Sequence, residues 1–349
     1  MRLKMWGGRS LFGYELKKLA LSPVIVGFVA LCIVFNTLIA IASYNPVDSD
    51  DETEAVDIFE NFHTSEIAEA YIRKYGITDA YAENIRSKYD KLQPVVDEKS
   101  ANGDALSTYF AKQTHYRHNF LFETLFMAII AESCLLALFA ALLSVTYEQM
   151  RGTEPIICSS TVGRRILMAK LCASLTAAAA LTVVIIGVSL LVFFLRFDFS
   201  GVWKDNVSSM FNSAVNEYGK PFITWRSFTV AGYLWATIGI SLGLAVCFCL
   251  LGYAVGVWGR SGYGAFIAAV SAVGVMFLAK PLLPIGSVFR GIWNLTPVWL
   301  WKNSGMWFTD GGADIVWANF EIAGLFASLA VLSVAAFMAS KWFKRSELH

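Results

Sequence analysis

Six apolar runs, each of about twenty residues or more, constrain what this chain can fold into. About twenty apolar residues in a helix cross the roughly 30 Å hydrocarbon core of a bilayer. Because backbone N–H and C=O groups find no water there, the runs are expected to be α-helices. The sequence places them at residues 23–43, 119–146, 171–195, 228–258, 263–283 and 315–340. Of its 349 residues, 56% are hydrophobic and 16% charged, which indicates an all-α polytopic membrane protein with six transmembrane helices.

The charges of the polar segments differ between the two sides of these runs. Basic residues recur in three segments, 1–22, 147–170 and 341–349, whereas 44–118 is rich in Asp and Glu. Positive charge favours the cytoplasmic side, so both termini are predicted to be cytoplasmic. The polar segments predicted to lie outside are 44–118, 196–227 and 284–314.

Residues 44–118 form the longest polar segment. Its apolar side chains recur every three or four positions, as at Ile67, Tyr71, Ile85, Tyr89 and Leu92, which is a helical period. This predicts a small helical extracytoplasmic domain between spans 1 and 2. The alternative is a flexible acidic loop, which seldom carries so many spaced aromatic residues.

Histidines occur at the end of that segment. His115, His118 and Glu123 could share one helical face and hold a metal, but two histidines and one carboxylate are a weak metal signal. A polar cluster at the start of the second span is favoured, and no metal is predicted.

The segment 147–170 is a charged, partly amphipathic interruption between spans 2 and 3. Ile156 and Ile157 alternate with polar residues in a way that suits short surface helices, which a soluble partner could bind.

Residues 1–22 are predicted to form an interfacial helix, with Leu16 and Leu19 on its apolar face and Lys17 and Lys18 opposite.

Glu132 lies near the middle of the second span, where an ionised carboxylate would be expensive. It could form a structural hydrogen bond to a neighbouring helix or line a transport pathway, and both possibilities remain open. Tyr233 and Trp235 are weaker candidates for an outer gate of such a pathway.

Gly252-x-x-x-Gly256 in the fourth span is a small-residue pattern that lets helices approach closely.

Residues 284–314 contain four tryptophans and several prolines close by. Tryptophan prefers the headgroup level, so we predict short helices that are re-entrant or interfacial, with a plain aromatic belt as the alternative.

Motifs for independent catalysis are absent from the sequence. It has no G-x-x-x-x-G-K-[ST] phosphate loop and no H-E-x-x-H. The chain is therefore not expected to be an enzyme or to bind a cofactor. It also lacks the basic tracts and stacking motifs of nucleic-acid binding, so no nucleic-acid partner is expected.

Two short patches resemble the permease subunits of type-2 ABC exporters, a bacterial transporter family. One is E-L-K-K-L-x-x-S-P, from Glu15 to Pro23, and the other is E-x-x-R-G-T-x-x-x-x-x-S-x-x-x-x-R-R, from Glu148 to Arg165. Residues 154–157 depart from the leucine-rich turn usual there. The matching positions in the second patch include Glu148, Arg151, Gly152, Thr153, Arg164 and Arg165.

The resemblance implies a dimer of two permease subunits, identical or different, in the bacterial cytoplasmic membrane and in contact with its lipids. Each would bind a cytoplasmic P-loop ATPase through the coupling loop 147–170 and through Glu15, Lys17 and Lys18 of the N-terminal helix. ATP and Mg²⁺ would be bound by that partner. The implied function is export of an amphipathic substrate such as a peptide, drug or lipid.

A second function fits the same topology. The chain could be a membrane sensor or scaffold whose acidic external domain binds a ligand or protein.

Overall fold

A computed structural model describes the chain over residues 6–43, 57–104, 112–159, 163, 166–211, 222–259 and 261–345. The protein is an all-α polytopic membrane protein. The described helices outside the spans are α1 (Trp6–Ala20), α3 (Thr64–Tyr75), α4 (Asp79–Ala101), α7 (Glu154–Ser159), α9 (Val207–Phe211), α12 (Val288–Trp293) and α13 (Pro297–Lys302). Helix α5 (Lys112–Asn119) leads into the second span.

Within the described residues, six helices are long and apolar enough to cross a membrane. A helix pairs its backbone N–H and C=O groups within itself, which is what a bilayer core requires of a spanning segment. The spans contain α2 (Pro23–Ala42), α6 (Phe126–Met150), α8 (Ile166–Arg196), α10 (Val230–Trp258), α11 (Gly262–Leu282) and α14 (Phe320–Arg345). The second span is longer than α6, since a π-helical stretch at Phe120–Leu125 joins it to α5, and the span covers Tyr116–Met150.

The span boundaries differ most from the sequence expectation in α8 and α14. Helix α8 begins at Ile166 rather than near residue 171, because Ile166 and Leu167 are buried against the bundle. Helix α14 begins at Phe320 rather than at residue 315 and continues to Arg345. Asn319 has a φ of 54°, a left-handed conformation that a right-handed helix cannot include, so the helix starts after it.

Helices α6 and α10 pack at the centre of the bundle. A Cβ atom on Gly252 would lie 2.6 Å from the Leu138 carbonyl oxygen, so only glycine permits this approach. One turn further on, a Cβ on Gly256 would lie 3.3 Å from Val145. The predicted close approach at Gly252-x-x-x-Gly256 therefore occurs within the chain.

The predicted helical domain between spans 1 and 2 is formed by α3 and α4. Ile85, Tyr89, Leu92 and Val96 are fully buried between them at the helical spacing that the sequence shows. We call the end of the bundle next to this domain the domain end. The opposite end, with α1 and α7, is the loop end.

The helical domain is fixed to the segment before α14 by buried polar contacts. Lys88 Nζ donates hydrogen bonds to the carbonyl oxygens of Asp310 at 3.2 Å, Gly312 at 2.7 Å and Ile315 at 3.0 Å. The hydroxyl of Tyr89 donates to the Asp310 carboxylate at 2.5 Å. Burial, and then the Asp310 charge, raise the pKa of Tyr89, which keeps it a donor.

Replacing Lys88 with methionine should loosen this attachment. Lys88→Met leaves three carbonyl groups without their donor, and we expect a loss of about 2–4 kcal/mol in stability. The measurements are the thermal unfolding midpoint in detergent and the rate of proteolysis within residues 57–104. Lys91→Met, an exposed change on the same helix, is the control. Equal behaviour of the two variants would contradict the assignment.

Candidate functional site

Four charged residues join the N-terminal helix to spans 2 and 3 at the loop end. Lys18 Nζ lies 2.6 Å from Glu15 Oε2 and 3.0 Å from Glu148 Oε1. Lys170 Nζ lies 2.6 Å from Glu148 Oε2 and 3.3 Å from Glu15 Oε2, and it also donates to the Ser144 carbonyl. Each lysine thus contacts both glutamates. We call Glu15, Lys18, Glu148 and Lys170 the four-charge cluster.

This cluster is largely withdrawn from solvent. The exposed fractions are 1% for Glu15, 2% for Lys170 and 8% for Glu148. Two positive and two negative charges balance, and buried ions persist only when they are paired in this way. Burial lowers the pKa of Lys18, but hydrogen bonds and charges from Glu15 and Glu148 outweigh it and raise the pKa above its usual value. Lys18 therefore remains an ammonium.

The helical spacing of α1 explains how two of these charges meet the bundle. Glu15, Lys18 and Leu19 lie three and four positions apart, so they share one face. That face packs against the spans, with Leu19 only 2% exposed. Lys17 lies on the exposed side, as the sequence predicts, whereas Lys18 turns inward to the cluster instead of lying opposite the apolar face.

Beyond the cluster the chain leaves the bundle through a tight turn. Gly152 has a φ of 65°, which ends α6 and directs the chain into α7. Arg151 is exposed and lies over the Tyr147 ring at 4.8 Å. Thr153 is half-buried, and its carbonyl accepts from the Ile157 amide at 3.2 Å.

The short helix α7 is one of the surface helices that the sequence predicts. Its Ile156 side chain is 70% exposed. Glu154 is half-buried at the start of α7, and burial raises the pKa of its carboxyl. Arg164 and Arg165, which were predicted to dock a partner, lie outside the described residues.

A small cavity separates α7 from the cluster. It has a volume of about 20 Å³ and is lined by residues that include Glu148, Glu154, Ile157, Lys170 and Phe343. This is room for about one water molecule. The loop end is therefore nearly filled by its own side chains at this point.

Glu132 forms a hydrogen bond between spans. Asn36 Nδ2 donates to Glu132 Oε2 at 2.7 Å and to Ser189 Oγ at 3.0 Å. These residues belong to α6, α2 and α8, so three spans meet in one polar contact. This is the structural hydrogen bond that the sequence analysis left as one of two possibilities for Glu132.

Tyr233 and Trp235 do not come together. Tyr233 is fully buried at the domain end, where its ring lies 4.8 Å from Phe122 and its hydroxyl donates to the Trp307 carbonyl at 3.3 Å. Trp235 is 71% exposed on the other side of α10. Two residues along a helix are about 200° apart, so the two side chains cannot form one gate within this subunit.

His118, one of the two histidines considered as metal ligands, is surrounded by aromatic side chains. His118 is fully buried, with ring centroids of Phe122 and Phe199 at 5.3 and 5.4 Å. The side chain of His115 is outside the described part of the chain. Among the residues that are described, no group of three or more His, Cys, Asp or Glu side chains could hold a metal ion.

The segment 284–314 contains two short helices, α12 and α13, as predicted. Its indoles are anchored to span carbonyls: Trp293 and Trp299 both donate to Met276, at 2.8 and 2.9 Å. Trp301 donates to Met127 at 2.8 Å. The segment is thus fixed to α11 and to α6.

The fold and this cluster define the class as a multi-pass all-α membrane protein. No family model, curated protein or solved structure matches the chain.

The sequence indicated the residues of the four-charge cluster only in part. The sequence pointed to Glu15, Lys18 and Glu148 individually, and the signal for their partner was Lys170, a lone cation in the first turns of an apolar span.

Removing Lys170 should release the N-terminal helix. Lys170→Met leaves Glu15 and Glu148 with only Lys18, and losing one partner of a buried ion pair costs about 3–5 kcal/mol. We expect chymotrypsin to cut within α1 at least tenfold faster than in the unchanged protein. Lys17→Met alters an exposed lysine of the same helix and should leave the rate unchanged. Equal rates for both variants would show that the cluster does not hold α1.

Proposed function

We propose that this chain is the permease subunit of a type-2 ABC exporter. In this proposal two permease subunits, identical or different, form a dimer in the bacterial cytoplasmic membrane. Each binds a separate cytoplasmic ATPase, which holds ATP and Mg²⁺. The complex exports an amphipathic substrate. The chain itself has no catalytic role.

The observation that carries this proposal is the four-charge cluster. It joins α1 to the ends of α6 and α8, the two helices that flank the loop containing α7. A force applied to α1 or α7 would therefore reach both spans together. Such a connection is what an energy-coupling subunit needs at the surface where its ATPase binds.

The exposed surface of α7 also fits a protein partner. Ile156 offers an apolar side chain 70% exposed, and Lys17 and Arg151 are exposed cations at the same end. An apolar anchor surrounded by charge is a common arrangement at protein interfaces. Lys341, Lys344 and Arg345 follow at the end of α14, and the positive-inside bias then favours a cytoplasmic loop end.

Mutation of this surface tests the proposal. The tagged chain is purified from its native membrane in mild detergent, and P-loop ATPases are identified by mass spectrometry. We expect a stoichiometric ATPase with the unchanged protein. Ile156→Glu, which buries a charge at the interface, and the double variant Arg164→Glu/Arg165→Glu should each reduce its recovery at least tenfold.

Lys302→Glu is the matched control, since it reverses an exposed charge at the domain end. It should retain the ATPase. Recovery that is equal in all variants would reject α7 and the arginine pair as the docking surface. The absence of any ATPase from the unchanged sample would reject the exporter and favour a sensor or scaffold, whose partner would then be sought at the helical domain.

A further inference from the structure

A polar cavity lies at the domain end, between α3 and the segment that links spans 5 and 6. Its volume is about 250 Å³. The residues that line it include Tyr71, Tyr75, Lys280, Arg290, Asn294 and Asp314. It is far from the four-charge cluster, and no part of the proposed function uses it.

The cavity has an excess of positive charge. Lys280 Nζ lies 3.2 Å from Asp314 Oδ2, and Arg290 Nε lies 2.9 Å from Asp314 Oδ1. In the described part of the chain, Asp314 is the only carboxylate within 4.0 Å of either cation. Two cations thus share one anion, which leaves a net charge of about +1 in a partly buried place.

These cations are fixed before any ligand arrives. Asn294 is fully buried, and its Oδ1 accepts from Lys280 Nζ at 2.6 Å while its Nδ2 donates to the Asp314 carbonyl at 3.2 Å. Arg290 Nη1 donates to the Leu283 carbonyl at 2.8 Å. Among the described residues, the hydrogen bonds of Arg290 involve its Nε and Nη1, so its Nη2 is able to donate to a ligand.

One wall of the cavity is formed by residues 311–315, which include Gly311 and Gly312. These two glycines have φ values of 67° and 74°, a backbone conformation that side chains disfavour. Lys88 holds this wall through the carbonyls of Gly312 and Ile315. The helical domain therefore sets the shape of the cavity.

Apolar side chains cover the surface beside the cavity. At the end of α11 and on α12 the exposed fractions are 83% for Leu282, 66% for Val288 and 72% for Phe289. Ile285, which lines the cavity, is 40% exposed. Apolar exposure at the end of a membrane span is expected where a helix meets lipid chains. The cavity is therefore a charged recess bordered by a lipid-facing surface.

We propose that this cavity binds the headgroup of an anionic membrane phospholipid whose phosphodiester carries one net negative charge. The phosphate oxygens accept hydrogen bonds from Arg290 and Lys280, and the acyl chains lie against Leu282, Val288 and Phe289. One negative charge neutralises the +1 site. A zwitterionic lipid lacks this net charge, and free phosphate lacks the apolar contact. This inference does not depend on the exporter assignment.

Lipid binding to the purified, delipidated protein tests the proposal. The probes are phosphatidylglycerol, phosphatidylcholine and inorganic phosphate, with affinities from native mass spectrometry and the thermal unfolding midpoint. We expect phosphatidylglycerol to bind at least tenfold more tightly than phosphatidylcholine. Arg290→Gln makes the site neutral and should lower its affinity for phosphatidylglycerol about tenfold, because hydrogen bonds to charged groups are strong. Lys302→Gln, an exposed cation in the same segment, should change affinity less than twofold.

Asp314→Asn supplies an independent test of charge matching. It raises the site to about +2, so the preference should shift from phosphatidylglycerol towards phosphatidic acid, whose phosphomonoester carries more charge. Arg290→Lys should retain most of the binding and excludes misfolding as the cause of a loss in Arg290→Gln.

Three results would overturn the proposal. Equal affinity for phosphatidylglycerol and phosphatidylcholine would remove the charge selectivity. Equal effects of Arg290→Gln and Lys302→Gln would place the lipid elsewhere. Displacement of phosphatidylglycerol by inorganic phosphate at matched concentration would identify a site for a free anion instead of a lipid.

Discussion

The cost of burying charge is the constraint on which this structure depends. Charged groups removed from water are stable only with partners, and a membrane protein has little water to supply them. The chain meets this constraint in different ways at its two ends. At the loop end, Glu15 and Glu148 are matched by Lys18 and Lys170. At the domain end, Lys88 is satisfied mainly by three backbone carbonyls.

The balance of buried charge also differs between the four-charge cluster and the cavity at the domain end. The four-charge cluster is neutral and almost without internal space, so it acts as a joint between helices. Among the described residues, Asp314 alone supplies negative charge around Lys280 and Arg290, and a cavity of about 250 Å³ remains. A balanced cluster can hold elements together, whereas an unbalanced one beside open space favours an additional anion. This difference is the physical reason for proposing mechanical coupling at one end and ligand binding at the other.

The sequence predicted much of the fold because each span is set by local composition. The apolar runs fixed six helices, and the helical period around Ile85 and Leu92 predicted the domain between spans 1 and 2. Boundaries were less accurate where tertiary contacts decide them, as at Ile166, whose burial extends α8. The conformation of Asn319 at the start of α14 likewise cannot be derived from hydropathy.

The polar contacts were harder to foresee, since they join residues that are distant in sequence. Glu132 was evident as a carboxylate within a span, but its hydrogen bond to Asn36 depends on how α2 packs against α6. The same is true of Lys170 and Glu15. Tyr233 and Trp235 were each candidates for an outer gate, and their positions on different sides of α10 became evident only from the packing of that helix.

The two ends of the protein are connected by α6. This helix carries Glu148 near one end, and at the other the carbonyl of Met127 accepts a hydrogen bond from Trp301. A helix transmits displacement along its axis because its backbone bonds run from turn to turn. In the proposed exporter, movement of α1 or α7 would be carried through Glu148 along α6 to the tryptophan-rich segment. That segment forms part of the cavity around Arg290, so events at the loop end would alter the proposed lipid site, and bound lipid would in turn affect coupling.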